Sequence, residues 1–293
     1  MTSIFIPLGL AFIMLTVGLG LAPRDFRALA ERPEAVAAGV AAQVVLLPLT
    51  ALAVALAFDL APLTGLGLVL VACVPGGVTS NFITVLARGE AALSVVLTAL
   101  STTVAIVSVP LVLVLAVDVL GAGLLLPAAL PMGETARAVL VVTALPMAVG
   151  MAARALRPEL ARRVLVPARR TATVVFAAIV VAAFGADWAV VEAHWRAVGP
   201  AVVAFNLLAV GGGLALGRLL RLGPRATTTL GVECGLQNVA LALFLGGHVL
   251  GVPALVVPAV LYVLVMNGAA LMLVAHGRRG EAAVFAWRQD RSP

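Results

Sequence analysis

Long apolar runs, each broken off by arginine, an acid or a Pro/Gly pair, recur along this 293-residue chain. They fall at about 3–21, 35–57, 62–87, 91–117, 135–156, 169–186, 197–217, 226–250 and 253–275. A helix needs about 20 apolar residues to cross the hydrocarbon core of a bilayer, so the pattern predicts an all-α polytopic membrane protein with about nine spans. Composition agrees: 63% of residues are hydrophobic and only 11% charged, against about 25% charged in soluble domains. The chain reads as a single transmembrane domain over 1–293, with 278–293 as a cytoplasmic tail.

All 19 basic residues are arginine. They lie in short connections rather than in one patch, which argues against nucleic acid and makes them topology markers. Ile4–Leu21 lacks a charged n-region and is followed by Arg24, Arg27 and Arg32 rather than a cleavage site, which suits a signal anchor with its N-terminus outside. With that orientation 17 arginines fall on the cytoplasmic side and only Arg137 and Arg196 on the other. This is the positive-inside pattern of a multi-pass inner-membrane protein with a cytoplasmic C-terminus. Trp188 and Trp195 are expected in an external loop, as interfacial anchors. Cys73 and Cys234 sit inside apolar runs and read as packed thiols, not a disulfide.

Two spans carry interruptions near their midpoints. The third contains Pro75-Gly76-Gly77 followed by Thr79, Ser80 and Asn81; the eighth contains Glu233-Cys234-Gly235-Leu236-Gln237-Asn238. Pro75 removes an amide donor and the glycines weaken the helix, freeing backbone groups at mid-membrane. These spans are five crossings apart and run in opposite directions. Paired breaks in oppositely oriented segments point to an inverted-repeat transporter, with repeats at approximately 1–120 and 134–277.

Glu233 is the one acid of 13 that lies well inside a span. An ionised carboxylate there costs at least about 2.5–3.5 kcal/mol and calls for a cation, a proton or a buried partner. Ser94 and Thr98 are spaced to face one way on the fourth span, and Gln43 lies mid-span in the second. Each alone would serve helix packing, but together with Ser80, Asn81 and Gln237 they make a hard-oxygen cluster. One carboxylate among neutral oxygens suits Na⁺ better than Ca²⁺ or Mg²⁺, and no zinc or copper ligand spacing accompanies it. The glycines at 211–213 and Gly217 read as close helix packing, and His248 as structural or interfacial.

The segment from Cys73 to Asn81, the run from Thr84 to Ser94 and Thr98, and Glu233 to Asn238 resemble the fourth, fifth and ninth helices of the bile acid:sodium symporter family. Gln43, five residues before Pro48, and Pro253 to Asn267 fit as well. The resemblance implies two inverted repeats divided into a panel domain and a core domain, with the third and eighth spans here as discontinuous crossing helices. It implies two Na⁺ ions as coupling ligands. The first would be held by Ser80, Asn81, Ser94, Thr98 and Glu233, the second by Gln43, Glu233 and Gln237 with carbonyls of Cys234 and Leu236. Two departures stand out: the chain resembles a nine-helix version, and Met266 precedes Asn267 where many members have a His-Asn pair.

The expected function is sodium-coupled symport of a small organic anion by alternating access. The anion would be met at Val78, Thr79, Asn238 and Asn267 by half-helix N-termini. Besides substrate and lipid bilayer no obligatory protein partner is evident. A proton-coupled version with Glu233 as carrier is the alternative; a membrane enzyme would need paired aspartates or a Ser/His pair at depth.

Overall fold

In the computed structural model, residues 2–26, 31–126 and 130–289 are described, and every regular element among them is helical. The helices are α1 (Thr2–Gly20), α2 (Pro33–Ala57), α3 (Pro62–Cys73), α4 (Val78–Leu86), α5 (Ala91–Leu120), α6 (Met132–Leu156), α7 (Pro158–Leu219), α8 (Pro224–Gly235), α9 (Val239–Phe244) and α10 (Val256–Gln289). A π-turn, Leu245–Val249, extends α9, and a 3-10 turn, Pro253–Leu255, leads into α10. Among the described residues, six stretches are long and apolar enough to cross a membrane: 33–57, 91–120, 132–156, 192–219, 224–249 and 253–277. The protein is therefore a multi-pass, all-α membrane protein.

Proline marks the starts. Helices α2, α3, α7 and α8 each open on one, where its missing amide would have no partner and its fixed φ already suits the helix. Inside spans it acts differently. Pro48 and Pro146 each follow by two residues the end of a five-residue π-turn, Ala42–Leu46 in α2 and Leu140–Ala144 in α6. The wider turn makes room for a ring that would otherwise strike the carbonyl four residues back. In α2 that turn carries Gln43, whose side chain is buried. At its far end α5 stops at Gly121 in the left-handed region (φ 64°), the amide of Ala122 closing onto the carbonyl of Val117 at 3.0 Å.

Glycine sets the close approaches. On Gly18 and Gly150, where α1 crosses α6, any side chain would run into the other helix's backbone. Gly213 and Gly217 lie against Leu230 and Thr227 of α8, whereas Gly211 has nothing near it. The glycine stripe is thus a packing face through two of its members.

Enclosure follows polarity. The stretch 224–249 is the least apolar of the six, and 89% of an 18-residue apolar window within it is buried, whereas in 91–120, the most apolar, the corresponding share is 28%. Lipid takes the apolar spans and the polar one is wrapped in protein. Cys73 and Cys234 are both buried free thiols, as expected.

One sequence expectation fails. The backbone stays helical from 158 to 219, so Trp188 and Trp195 lie on a helix and not in a loop between two spans. Trp195 is exposed; the side chain of Trp188 lies outside the described part. The helix is nonetheless not straight. Its first arm packs on α1, with Arg169 at Gly20 and Val175 at Gly9. Its second arm donates from Asn206 to the carbonyl of Gly235, three residues before Asn238, which in turn touches Met14 of α1. Ala172 and Asn206 thus flank one region although a straight helix would set them about 50 Å apart at 1.5 Å per residue. Ala, Val, Trp and Glu from 187 to 196 are compatible with helix, and the helix runs on through Gly199-Pro200 beyond them.

Candidate functional site

Both sequence-predicted breaks are present. The third span stops at Cys73, runs extended through Val74 and resumes as α4 at Val78; the eighth stops at Gly235 and resumes at Val239. The two non-helical stretches meet, the amide of Asn238 donating to the carbonyl of Pro75 at 2.9 Å. Each break thus satisfies part of the other's freed backbone. Asn238 also caps α9, its side-chain oxygen accepting from the amide of Leu241 at 3.2 Å. A second brace lies behind: Asn206 and Tyr262 both donate to the carbonyl of Gly235, each at 2.9 Å, and Asn206 donates to the Tyr262 hydroxyl at 3.0 Å. Sequence reading passed over this pair, although a lone mid-span Asn and the only Tyr in the chain were the available signal.

Glu233, fully buried on the last turn of α8, is the centre. The Ser94 hydroxyl, from α5, lies 2.6 Å from its Oε1 and 2.8 Å from Asn81 Oδ1. Thr98, one turn along, places its hydroxyl 3.4 Å from both Asn81 Oδ1 and Glu233 Oε2, and donates to the Ser94 carbonyl at 3.1 Å. The amide of Gln43 reaches in from α2, donating towards the Glu233 carbonyl at 3.3 Å and Oε2 at 3.4 Å. Ser80 and Asn81 both donate to the Gly77 carbonyl, at 2.9 and 3.3 Å. Gly76 makes this approach possible: a Cβ there would stand 2.7 Å from Glu233 Oε2 and 3.0 Å from Ser80 Oγ. All five residues expected around a first ion are therefore in one cluster.

The cluster is short of protons. Ser94 has one hydroxyl proton and two acceptors within 2.8 Å, and the proton of Thr98 is engaged by its own helix. The amide of Asn81 is fixed by its bond to Gly77, so its oxygen faces the hydroxyls. Buried acceptors crowded beyond their donors repel one another unless a cation lies among them or the carboxyl itself takes up a proton. Elsewhere, Thr16, Thr102, Thr103 and Thr143 return their protons to their own helices, the ordinary arrangement for hydroxyls on membrane helices.

Of the residues expected around a second ion, Gln43 touches Glu233, and Gln237 donates to the Cys234 carbonyl at 2.8 Å. The remaining side-chain oxygens of Gln43 and Gln237 are buried without any donor. Such orphan oxygens are costly in a membrane interior and fit a small hard cation that ligates through oxygen. For Leu236 the structure gives its extended backbone at the break.

Beside the cluster lies a cavity of about 670 Å³ between α1 and the first arm of α7 on one side and α4, α5 and the eighth-span break on the other. Thr79, Asn238, Asn81 and Gln237 line it, as do Met14, Phe82, Phe176, Arg169 and Arg170. Val78 opens α4 at its edge, with its side chain outside the described part. Asn267 is not among the lining residues; it donates to the Val263 carbonyl of its own helix at 2.7 Å. Met266 beside it is buried.

Residues 7–193 match the Sodium Bile acid symporter family. The rice "Probable sodium/metabolite cotransporter BASS2, chloroplastic" is 30% identical over 97% of this chain and 64% of its own length. The "Uncharacterized sodium-dependent transporter YocS" of Bacillus subtilis is 42% identical over 39% of this chain and 35% of its own. The human "Ileal sodium/bile acid cotransporter" is 32% identical over 36% of this chain and 30% of its own. The chain spans less than two thirds of the length of these relatives, 64% of the rice protein and 66% of a chloroplastic Arabidopsis thaliana one. With its two broken spans meeting at one buried glutamate, and a family match over more than half its length, this chain belongs to the sodium/bile acid symporter family.

Proposed function

We propose that this protein is a sodium-coupled symporter of a small organic anion, working by alternating access in the inner membrane with its N-terminus outside. The observation that carries the reading is the proton-poor oxygen cluster around Glu233, spread over α2, α4, α5 and α8. Two Na⁺ ions would travel there: the first among Ser80, Asn81, Ser94, Thr98 and Glu233, the second among Gln43, Glu233, Gln237 and the carbonyls of Cys234 and Leu236. The names of the rice and human relatives, a sodium/metabolite and a sodium/bile acid cotransporter, support the same coupling ion.

The coupling follows from where these groups sit. Because they belong to four separate helices, a bound cation draws the two broken spans together; without one, their oxygens repel. The ordered break then presents the α4 N-terminus, with Val78 and Thr79, and the Asn238 side chain to the neighbouring cavity, where positive dipole ends favour an anionic group. Binding of anion and cation thereby become mutually dependent. A panel of α1, α6 and the first arm of α7 would rock against the remaining core, and inverted repeats at about 1–120 and 134–277 would make the outward and inward states mirror each other.

The test is thermal stability of the detergent-purified protein in NaCl, KCl and choline chloride at equal ionic strength, for the natural chain and Glu233→Ala. A ligand that binds only the folded state stabilises it by about 2.7 kcal/mol at 100-fold excess over its Kd. Sodium alone should raise Tm, and only with Glu233 present. Equal responses to the three salts, with stabilisation by acid instead, would replace sodium by proton coupling.

A further inference from the structure

We propose that the cavity recognises an organic dianion whose two anionic groups stand about 9 Å apart, one at the broken helix and the other at Arg169 and Arg170. This deepens the transporter reading above and rests on it. The polar lining residues with donors to spare lie at two poles, whereas Thr16 and Thr173 also line the cavity but return their hydroxyl protons to their own helices. Thr79 and Asn238 form one, beside the α4 N-terminus; Arg169 and Arg170, on the first arm of α7, form the other.

Helix α1 is the wall between the poles and gives the spacing. Met14 touches Asn238, and Gly20 lies under Arg169, where a Cβ would stand 2.9 Å from the guanidinium Nη2. Six residues of helix separate these points, about 9 Å at 1.5 Å per residue. The wall between them is mostly apolar, with Phe82 and Phe176 lining the space and Thr16, bonded back to Phe12, its one polar member on α1. Gly20 is what lets the guanidinium lie against α1.

Neither arginine has a carboxylate partner among the described residues. Arg32 pairs with Glu90 at 3.2 Å, and Arg162 with Glu159. Two unneutralised guanidinium groups at the end of an apolar-walled cavity attract anions and bind carboxylate, sulfate or phosphate oxygens through their paired donors. The spacing selects against short dianions such as succinate, which reach one pole but not both.

The probes are straight-chain α,ω-dicarboxylates of four to twelve carbons and the monocarboxylates of equal length. Their binding is read as thermal shift in saturating NaCl, in a neutral detergent that removes anionic headgroups. In the natural chain a dicarboxylate of about nine carbons should bind at least about tenfold more tightly than its monocarboxylate, that is, by about 1.4 kcal/mol, with succinate near the monocarboxylate. Arg169→Gln/Arg170→Gln should erase the difference while leaving the sodium response intact, which also shows that it folds. Gly20→Ala, displacing the guanidinium, should reduce it. No preference for the dianion, no binding at any length, or a preference that survives the double substitution overturns the proposal and leaves these arginines as topology or lipid contacts. Loss of the sodium response in the natural chain would instead sink the coupling reading alone.

Discussion

Gly76→Ala tests the site with a single methyl group. The added Cβ would stand 2.7 Å from Glu233 Oε2, 3.0 Å from Ser80 Oγ and 3.6 Å from Thr98 Oγ1. An ordinary carbon–oxygen contact needs several tenths of an ångström more, so the carboxylate must retreat. It has little room to do so, since Ser94 holds Oε1 at 2.6 Å and Gln43 approaches both Oε2 and the backbone carbonyl. Overpacking of this kind costs about 1–3 kcal/mol, and a similar retreat from a bound cation would weaken its ligation. In choline chloride the variant should melt lower than the natural protein. In NaCl its apparent sodium Kd, from Tm against concentration, should rise by at least about tenfold, or 1.4 kcal/mol. A Kd within twofold of the natural value, with the same lowered baseline, would show that the carboxylate is not where sodium binds.

Ser94→Ala should weaken sodium binding more than Thr98→Val, because Ser94 lies 2.6 Å from the carboxylate and Thr98 3.4 Å; paired sodium titrations decide the order. Gln237→Met removes an orphan oxygen together with one hydrogen bond, so in sodium-free buffer its stability should stay within about 1 kcal/mol of the natural chain while the steepness of the sodium response falls. Tyr262→Phe deletes one of two donors to the Gly235 carbonyl and should cost about 1–3 kcal/mol, seen as a lower Tm in every salt. Gly217→Val should disrupt α7–α8 packing, since a Cβ would meet the Thr227 backbone at 2.7 Å; unchanged Tm and monodispersity would refute that close approach.

Much of this was legible because membranes enforce simple rules. Apolar runs must be helices, so the helical class was readable, and with it the approximate ends of six long spans among the described residues. A lone mid-span carboxylate must have a partner, so Glu233 stood out, and Pro75-Gly76-Gly77 could not continue a helix. The resemblance then grouped residues that no local rule brings together: Gln43 lies 190 residues from Glu233, and nothing in the intervening sequence says which face of α2 points inwards. The tertiary structure decided that through the π-turn ahead of Pro48. It also decided that Asn267 bonds its own helix, that Asn206 and Tyr262 brace the break from behind, and that Arg169 and Arg170 face the cavity. The continuous helix through Trp188 and Trp195 escaped sequence reading because spans are inferred from hydropathy, whereas backbone hydrogen bonding is indifferent to it. What the residues determined alone was each segment's need, for lipid, for a cation or for a break. Which segments met those needs together depended on packing across more than a hundred residues, a relation that periodicity and composition do not encode.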